Sequence, residues 1–280
     1  MNLPHGDHSV SLSSRVGAVF NEVLTGRQGP RPSRHKKISR RALKETVEGI
    51  WVVAIGLRRS FLLETVQLDE RDCVAIGECF QTMPDLNHMV MIFESTSASA
   101  FALNLDLHRN MSVNPDAGVA LGPIKIDVSL PGLNVEQLDL SSNRYLILLQ
   151  EQLQARSRTA VLALVQPEDF PELAGILLEY PVIYSLSASV VGGSTHLDGA
   201  PLTLVKAWLI RQKSQPILLL SYTYPQSIES KTSLRNLPMA TKTLFANRIV
   251  KAAENGRFTS EEGFDVDVTV ETITLDRVVL

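Results

Sequence analysis

The sequence contains little cysteine and no long hydrophobic run. Only Cys73 and Cys79 are cysteines, and six positions along a predicted helix place them on different faces, unsuited to a mutual disulfide. The longest apolar run, GIWVVAIGL at 49–57, is too short to span a bilayer. The N-terminus lacks the basic start and apolar centre of a secretory signal. These absences predict an intracellular protein, in the cytoplasm, the nucleus or both, without a membrane partner.

The common catalytic motifs are absent as well. VVGGST at 190–195 has paired glycines, but it lacks the lysine of a phosphate-binding loop and the spacing of a dinucleotide fingerprint. Ser194 lacks the second flanking glycine of a nucleophile elbow. The two cysteines and six histidines do not follow a zinc-binding pattern. We therefore predict no cofactor.

Acidic residues are missing from one strongly basic segment. Residues 27–44 hold eight Lys and Arg residues and no Asp or Glu. One interpretation is a nuclear-import or nucleic-acid patch, which would use the basic residues Arg34, Lys36, Lys37, Arg40 and Arg41. The other is a solvated linker whose last basic residues begin the next helix. The linker is favoured, because no aromatic residue is interleaved to stack on bases.

Hydrophobic periodicity predicts helices alternating with strands. Apolar residues at helical spacing predict a first helix around Val16–Val23 and a second over about 39–55, which together form a hairpin. Further helices are predicted over 69–83, from Ser141 or Ser142 to about 155 with Tyr145, Leu148, Leu149 and Leu153 inward, over 171–180, and over 231–255. Strands are predicted over 60–66, 88–94, 100–106, 122–130, 159–165, 182–184, 201–210, 216–224 and 264–275.

Two of these segments carry more specific expectations. The run TAVLALV at 159–165 is nearly continuously apolar, which predicts a central strand covered on both faces. In GILLEYPVIYSL at 175–186, Pro181 predicts that a helix stops at Tyr180 and that the chain continues as a strand. Tyr180 and Tyr184 are expected to be core residues with bonded hydroxyl groups, and a tyrosine that faces a ligand is the alternative.

The pattern as a whole predicts an α/β protein. We expect a single domain with a mixed sheet of about seven strands flanked by helices, an antiparallel C-terminal part and an N-terminal helical hairpin. Residues 1–37 are assigned to an N-terminal helix and basic linker, and residues 38–280 to the α/β domain.

One group of charged residues is a candidate catalytic or metal site. Glu64, Asp106 and Asp127 lie at or near predicted strand ends, and Lys125 precedes Asp127 by two residues. Converging carboxylates would hold Mg²⁺ or Mn²⁺ for phosphoester chemistry, with Lys125 as an electrostatic aid. The competing interpretation is favoured: acids at strand ends commonly cap helices or bind turn backbone, and Lys125 and Asp127 share a solvated strand face.

The C-terminal half resembles a known family of unassigned function. The resemblance rests on GILLEYPVIY at 175–184, PLTLVKAWLI at 201–210, QPILLLSYTYPQSI at 215–228 and FDVDVTVETITLDRVVL at 264–280. Together they are similar to the uncharacterised eukaryotic family named for an open reading frame on human chromosome 1. The order of elements agrees from about residue 38 onward. The resemblance implies the fold, and it implies no activity, because the family has none established.

Family members are similar in three short motifs, of which this chain keeps one. Asp127-Val128-Ser129 matches the middle strand, whereas Leu63-Glu64 stands in place of Tyr-Asp and Thr195-His196-Leu197 in place of Asn-Cys-Leu. The leading hypothesis is therefore a non-catalytic protein that acts through an unknown protein partner. Its candidate surfaces are the basic segment and the glycine loop 187–200. The alternatives are a metal-dependent phosphoesterase or nuclease-like enzyme using the strand-end carboxylates, and nucleic-acid binding through the basic segment.

Overall fold

A computed structural model gives the fold. It describes residues 12–25, 39–113, 123–128, 133–154, 159–162, 165–185, 197–212, 214–230, 233–258 and 263–275. The described helices are α1 Leu12–Thr25, α2 Arg40–Ala54, α3 Glu70–Thr82, α4 Leu105–Val113, α5 Arg144–Gln154, α6 Phe170–Leu177 and α7 Leu237–Glu254. The described strands are β1 Ser60–Leu62, β2 Met89–Glu94, β3 Ser99–Asn104, β4 Ile124–Asp127, β5 Asn134–Gln137, β6 Thr159–Leu162, β7 Val182–Ser185, β8 Pro201–Ile210, β9 Ile217–Pro225 and β10 Asp265–Thr274.

The first sheet has four strands and helices on both faces. Its order is β1-β3-β2-β6, with β6 parallel to β2 and the other pairs antiparallel. One face packs against α1, α2 and α3 through residues that include Met91 and Ala102. The opposite face packs against α5 and α6 through residues that include Ile92 and Phe101. Because both faces are covered, β2 and β3 are apolar along almost their whole length.

Two three-stranded sheets share a second core. Strand β4 lies between β5 and β7, parallel to β7, and β8 lies between the antiparallel strands β10 and β9. A single hydrophobic cluster joins β4, β7, the C-terminal sheet, α7 and the end of α2. Since α2 also contacts the first core, it connects the two halves of the hydrophobic interior.

The structure confirms the α/β class, the antiparallel C-terminal part and the N-terminal helical hairpin. The strands divide among three sheets instead of forming one mixed sheet. Within the described ranges, no helix combines the length and apolar character that a membrane crossing requires.

Helix α5 begins and faces differently from the prediction. The side chain of Asn143, rather than Ser141 or Ser142, accepts hydrogen bonds from the amides of Tyr145 and Leu146, at 3.1 Å each. Leu148 was expected to be buried but is 45% exposed, and Leu146 is buried in its place. The helix starts later than expected, because an amide side chain is as good a cap as a hydroxyl and periodicity cannot choose between them.

Strand β6 lies at an edge of the first sheet, so its prediction as a central strand is wrong. Among the described residues it pairs only with β2. Its outer side is occupied by the side chain of Gln152 on α5, which accepts from the Val161 amide and donates to the Val161 carbonyl, both at 2.8 Å. The strand is apolar because helices cover its faces, and a glutamine takes the position of a neighbouring strand.

Candidate anion-binding site

The strand-end carboxylates proposed for a metal site do not form a metal-binding group. Glu64 follows β1 and Asp106 is exposed in the first turn of α4, both beside the first sheet, whereas Asp127 ends β4 in another sheet. Within the described ranges, no three His, Cys, Asp or Glu side chains are grouped so as to hold a metal ion. Lys125 forms an ion pair with Glu172 at 2.9 Å. Burial lowers the pKa of Lys125, but Glu172, with Glu136 and Asp127, outweighs burial and raises it.

The basic residues proposed for interaction are only partly described. Arg34, Lys36 and Lys37 lie outside the described residues. Arg40 and Arg41 are exposed in the first turn of α2, after the N-cap residue Ser39. The described part of this basic surface is therefore the start of α2.

Helix α6 ends in a turn that places an acidic residue between the sheets. The Tyr180 amide bonds to the Gly175 carbonyl at 2.9 Å and the Glu179 amide to the Ile176 carbonyl at 3.2 Å. This pattern is a Schellman motif, in which Gly normally occupies the position that Glu179 holds here with a φ of 62°. A left-handed glutamate is strained by roughly 1 kcal/mol, so its side chain must be held by other contacts.

Those contacts form a buried ion cluster, which we call the arginine–glutamate junction and define as Arg59, Glu179 and Arg248. Arg248 binds Glu179 in a bidentate manner, with Nη1 2.7 Å from Oε2 and Nη2 2.6 Å from Oε1. Arg59 adds its own amide, 2.9 Å from Oε2, and its Nη2, 2.9 Å from Oε1. All three side chains are 12–13% exposed, so the cluster is largely removed from solvent screening.

The junction also bonds the backbone of two neighbouring elements. Arg248 Nη1 donates to the Leu57 carbonyl at 2.9 Å, and Arg59 Nη1 donates to the Ile176 carbonyl at 3.3 Å. Next to it, the Ser60 hydroxyl donates to the Leu177 carbonyl at 2.6 Å. The segment before β1, the end of α6 and helix α7 are thereby tied together at one point.

The charged groups of the junction shift one another's pKa values. Burial alone would raise the pKa of Glu179, but Arg248 and Arg59 outweigh burial and hold that pKa well below its usual range. Burial lowers the pKa of Arg59, and the neighbouring Arg248 lowers it further while Glu179 opposes both. Positive charge is therefore in excess here, and Arg58 adds to it.

Arg58 and Tyr180, which we call the oxyanion site, lie beside the junction. Among the described residues, the Arg58 guanidinium has no carboxylate within ion-pairing distance; its Cζ lies over the Phe61 ring, 5.9 Å from the centroid. That ring occupies the space that a Cβ at Gly49 would need, so the glycine makes room for the ring. Arg58 is half-buried. Burial lowers its pKa, Tyr180 and Glu179 oppose that shift, and Arg248 reinforces it.

The Tyr180 hydroxyl is the second polar group of the oxyanion site. The described part of the chain provides no hydrogen-bond partner for it, whereas the Tyr184 hydroxyl donates to the Thr223 carbonyl at 2.9 Å. Burial raises the pKa of Tyr180, Arg58 lowers it and Glu64 raises it, so all three groups lie close enough to interact. Tyr184 thus fits the expectation of a bonded core tyrosine, and Tyr180 keeps a free donor next to a guanidinium.

His108 is a buried histidine that interacts electrostatically with Arg59. It lines a small cavity with Arg109, Gln150 and Leu153, and its Nδ1 has no hydrogen-bond partner. Burial, reinforced by Arg59 and Arg109, lowers the pKa of His108 to about 4, so the imidazole is neutral at physiological pH.

Of these residues, the sequence points only to Tyr180, as the alternative of a tyrosine that faces a ligand. Arg58 and Arg59 follow directly after the longest apolar run, and Glu179 interrupts an otherwise apolar stretch before Tyr180 and Pro181. A charged residue inside a buried run is the signal that was available, since such residues are seldom buried unless paired. Their partner Arg248 lies far along the chain, in a helix whose sequence gives no such sign.

The fold and the site define an α/β protein with a cationic site where its sheets meet. Residues 33–280 match a family described as a domain of unknown function (DUF4504), and the chain belongs to this family. No curated protein and no solved structure matches the chain.

Proposed function

We propose that the protein is a non-catalytic binding protein that recognises an oxyanion, a phosphate or a carboxylate carried by a protein partner, at the oxyanion site. The observation that carries the proposal is the half-buried Arg58 guanidinium without a carboxylate partner in the described part of the chain. Burying a charge is costly unless it is paired. Glu179 attracts the Arg58 guanidinium without forming an ion pair with it, so this half-buried cation favours binding of an anion.

The chemistry of the two side chains fits this ligand class. A guanidinium presents parallel N–H donors that match two oxygens of a phosphate or carboxylate. The Tyr180 hydroxyl supplies a further donor, and the excess positive charge of the junction raises the local potential for anions. The negative charge of Glu64, which interacts with Tyr180, would favour anionic ligands that are protonated or have a positive charge close to Glu64.

The experiment measures binding of three probes by titration calorimetry: inorganic phosphate, a degenerate peptide library fixed at phosphoserine, and the same library fixed at glutamate. We expect Arg58→Gln to lower the affinity for the probe by at least about tenfold, because one charge-assisted pair is lost. Tyr180→Phe should weaken it less. Arg41→Gln, which removes an exposed arginine paired with Glu45, is the matched control and should leave affinity unchanged.

The probes separate the sources of the anion. Tighter binding of either peptide library than of free phosphate supports a protein partner. Equal affinity for free phosphate would overturn the protein part of the proposal, and binding that survives Arg58→Gln would overturn the site itself.

We also propose an intracellular location, in the cytoplasm, the nucleus or both. Cys73 and Cys79 are both free thiols, as reducing compartments maintain them. Burial, with the nearby acids Asp72, Asp69 and Glu70, raises the pKa of Cys73 to about 12, so it remains an unreactive thiol. On the four C-terminal segments that carry the resemblance, we further infer that the family is the one named for an open reading frame on human chromosome 1.

A further inference from the structure

The outer edge of strand β10 is long and regular. Its ten residues, Asp265–Thr274, pair with β8 on one side in an unbroken antiparallel register. No other described strand pairs with its outer side. Proline, lysine and β-bulges normally protect an edge strand from further pairing. Strand β10 contains no proline or lysine, and its pairing with β8 has no bulge.

The residues that direct their backbone groups outward can be identified. The Tyr184 hydroxyl reaches the Thr223 carbonyl from outside the sheet, so Thr223 faces away from β8 and its neighbour Tyr222 faces toward it. Tyr222 lies opposite Val205, which therefore exchanges its bonds with β9. Val270, opposite Val205 on the other side, must direct its N–H and C=O outward.

An independent contact agrees with this assignment. The Val266 amide donates a hydrogen bond to Asp265 Oδ1 at 2.7 Å, as expected for an edge amide that has no neighbouring strand. Val266 and Val270 have the same parity along the strand, so the outward positions are the even-numbered ones. Four of them have no backbone hydrogen-bond partner within the described ranges: Val268, Val270, Thr272 and Thr274.

Charge and exposure indicate what the edge accepts. One face of β10 carries the odd-numbered acids Asp265, Asp267 and Glu271. The only basic residue of β8 is Lys206, whose Nζ lies 3.5 Å from Glu271 Oε1. The other face carries Val270, which is 54% exposed although it lies in line with the buried Val266. A second copy of β10 would add acids to an acidic face, so self-pairing is opposed by repulsion.

We propose that β10 binds an extended segment of a partner protein as an added antiparallel strand, and that the segment alternates Lys or Arg with apolar residues. The basic side chains lie on the face of Asp267 and Glu271, and the apolar ones cover Val270. A residue that exchanges bonds with Val270 has its side chain on the Val270 face. The apolar residues of the partner therefore supply the backbone hydrogen bonds, and its basic residues do not.

This assignment is tested with three fluorescently labelled ten-residue peptides that alternate Lys with Val. One is unmodified, one is N-methylated at every valine and one at every lysine, so their charges are equal. We expect methylation at valine to weaken binding at least about tenfold, because it removes every donor directed at β10. Methylation at lysine should leave affinity within about threefold.

Variants of the protein provide the second arm. Asp267→Asn with Glu271→Gln should weaken the unmodified peptide several-fold, whereas Glu78→Gln with Glu151→Gln removes two exposed acids elsewhere and should not. Equal binding of all three peptides would overturn strand addition in favour of simple charge attraction. A stronger loss on lysine methylation would overturn the face assignment, and a dimer abolished by Val270→Pro would show that a second copy is the occupant. Arg58→Gln should leave this binding unchanged, so the oxyanion site and the β10 edge can fail separately.

Discussion

At the scale of single residues, Glu179 carries much of the connection between the sheets. It occupies a left-handed backbone position that favours glycine, and it accepts hydrogen bonds from Arg59 and Arg248. No other carboxylate among the described residues forms an ion pair with either arginine. Losing it would leave two guanidiniums buried together.

Replacing that carboxylate should be strongly destabilising. We expect Glu179→Gln to lower the free energy of unfolding by about 3–5 kcal/mol, because the buried guanidiniums lose their counterion. Urea denaturation of the parent and the variant measures this difference in the free energy of unfolding. Glu45→Gln breaks the exposed Arg41–Glu45 pair and should have no measurable effect. Equal stability of the two variants would show that the junction contributes little.

His108 should make stability dependent on pH in a defined window. Its folded pKa of about 4 lies below the ordinary 6.5, so between these values the unfolded chain binds the proton more tightly. Stability is therefore present above pH 6.5 and is lost as pH falls toward 4. Burial is the main cause of this low pKa, Arg59 and Arg109 lower it further, and Glu179 opposes them.

The variant His108→Gln isolates this contribution. The difference in unfolding free energy between the parent and the variant should fall by about 3 kcal/mol from pH 7 to pH 4, the equivalent of the pKa shift. Urea titrations at half-unit pH steps give the difference directly. A difference that stays constant over this range would mean that His108 is not a neutral buried group.

At the scale of elements, α5 protects the edge of the first sheet with one side chain. Gln152 bonds both backbone groups of Val161, as a neighbouring strand would. Its amide is suited to this because it carries a donor and an acceptor at one end, which neither glutamate nor lysine offers.

Gln152→Leu should therefore loosen β6 selectively. We expect a loss of about 1–3 kcal/mol, the cost of two backbone groups without partners, and faster hydrogen exchange at the Val161 amide. Gln154→Leu on the exposed side of the same helix is the control. Unchanged exchange at Val161 would indicate that the edge is protected in another way.

The same element shows where prediction from sequence reaches its limit. A nearly continuous apolar run at 159–165 indicates that the faces of β6 are covered, and it carries no information about the edges. In the same way, Pro181 predicts that α6 stops, but the helix ends at Leu177, before Tyr180, because Glu179 turns left-handed. That turn depends on Arg59 and Arg248, which are distant in sequence, so the site could not be found from local patterns.

At the scale of the whole molecule, the two principal cores share helix α2. Val52 and Ile55 belong to the core of the C-terminal sheet, and Ile50 and Val53 to the core of the first sheet. Helix α1 packs into the core of the first sheet as well, through Phe20 among others. We proposed a domain boundary near residue 37, and this packing places α1 within the same hydrophobic core as α2 and α3.

Phe20→Ala tests whether α1 is an integral part of that core. The ring is fully buried, so we expect a loss of about 3–5 kcal/mol from lost burial and the cavity that remains. Glu22→Ala, two positions along on the exposed side, is the matched control. Urea denaturation of both variants and of residues 38–280 alone completes the comparison. If α1 were an appendage, Phe20→Ala would be neutral and the truncated chain would unfold at the same denaturant concentration as the full chain. A cost as large as expected would extend the cooperative unit to α1.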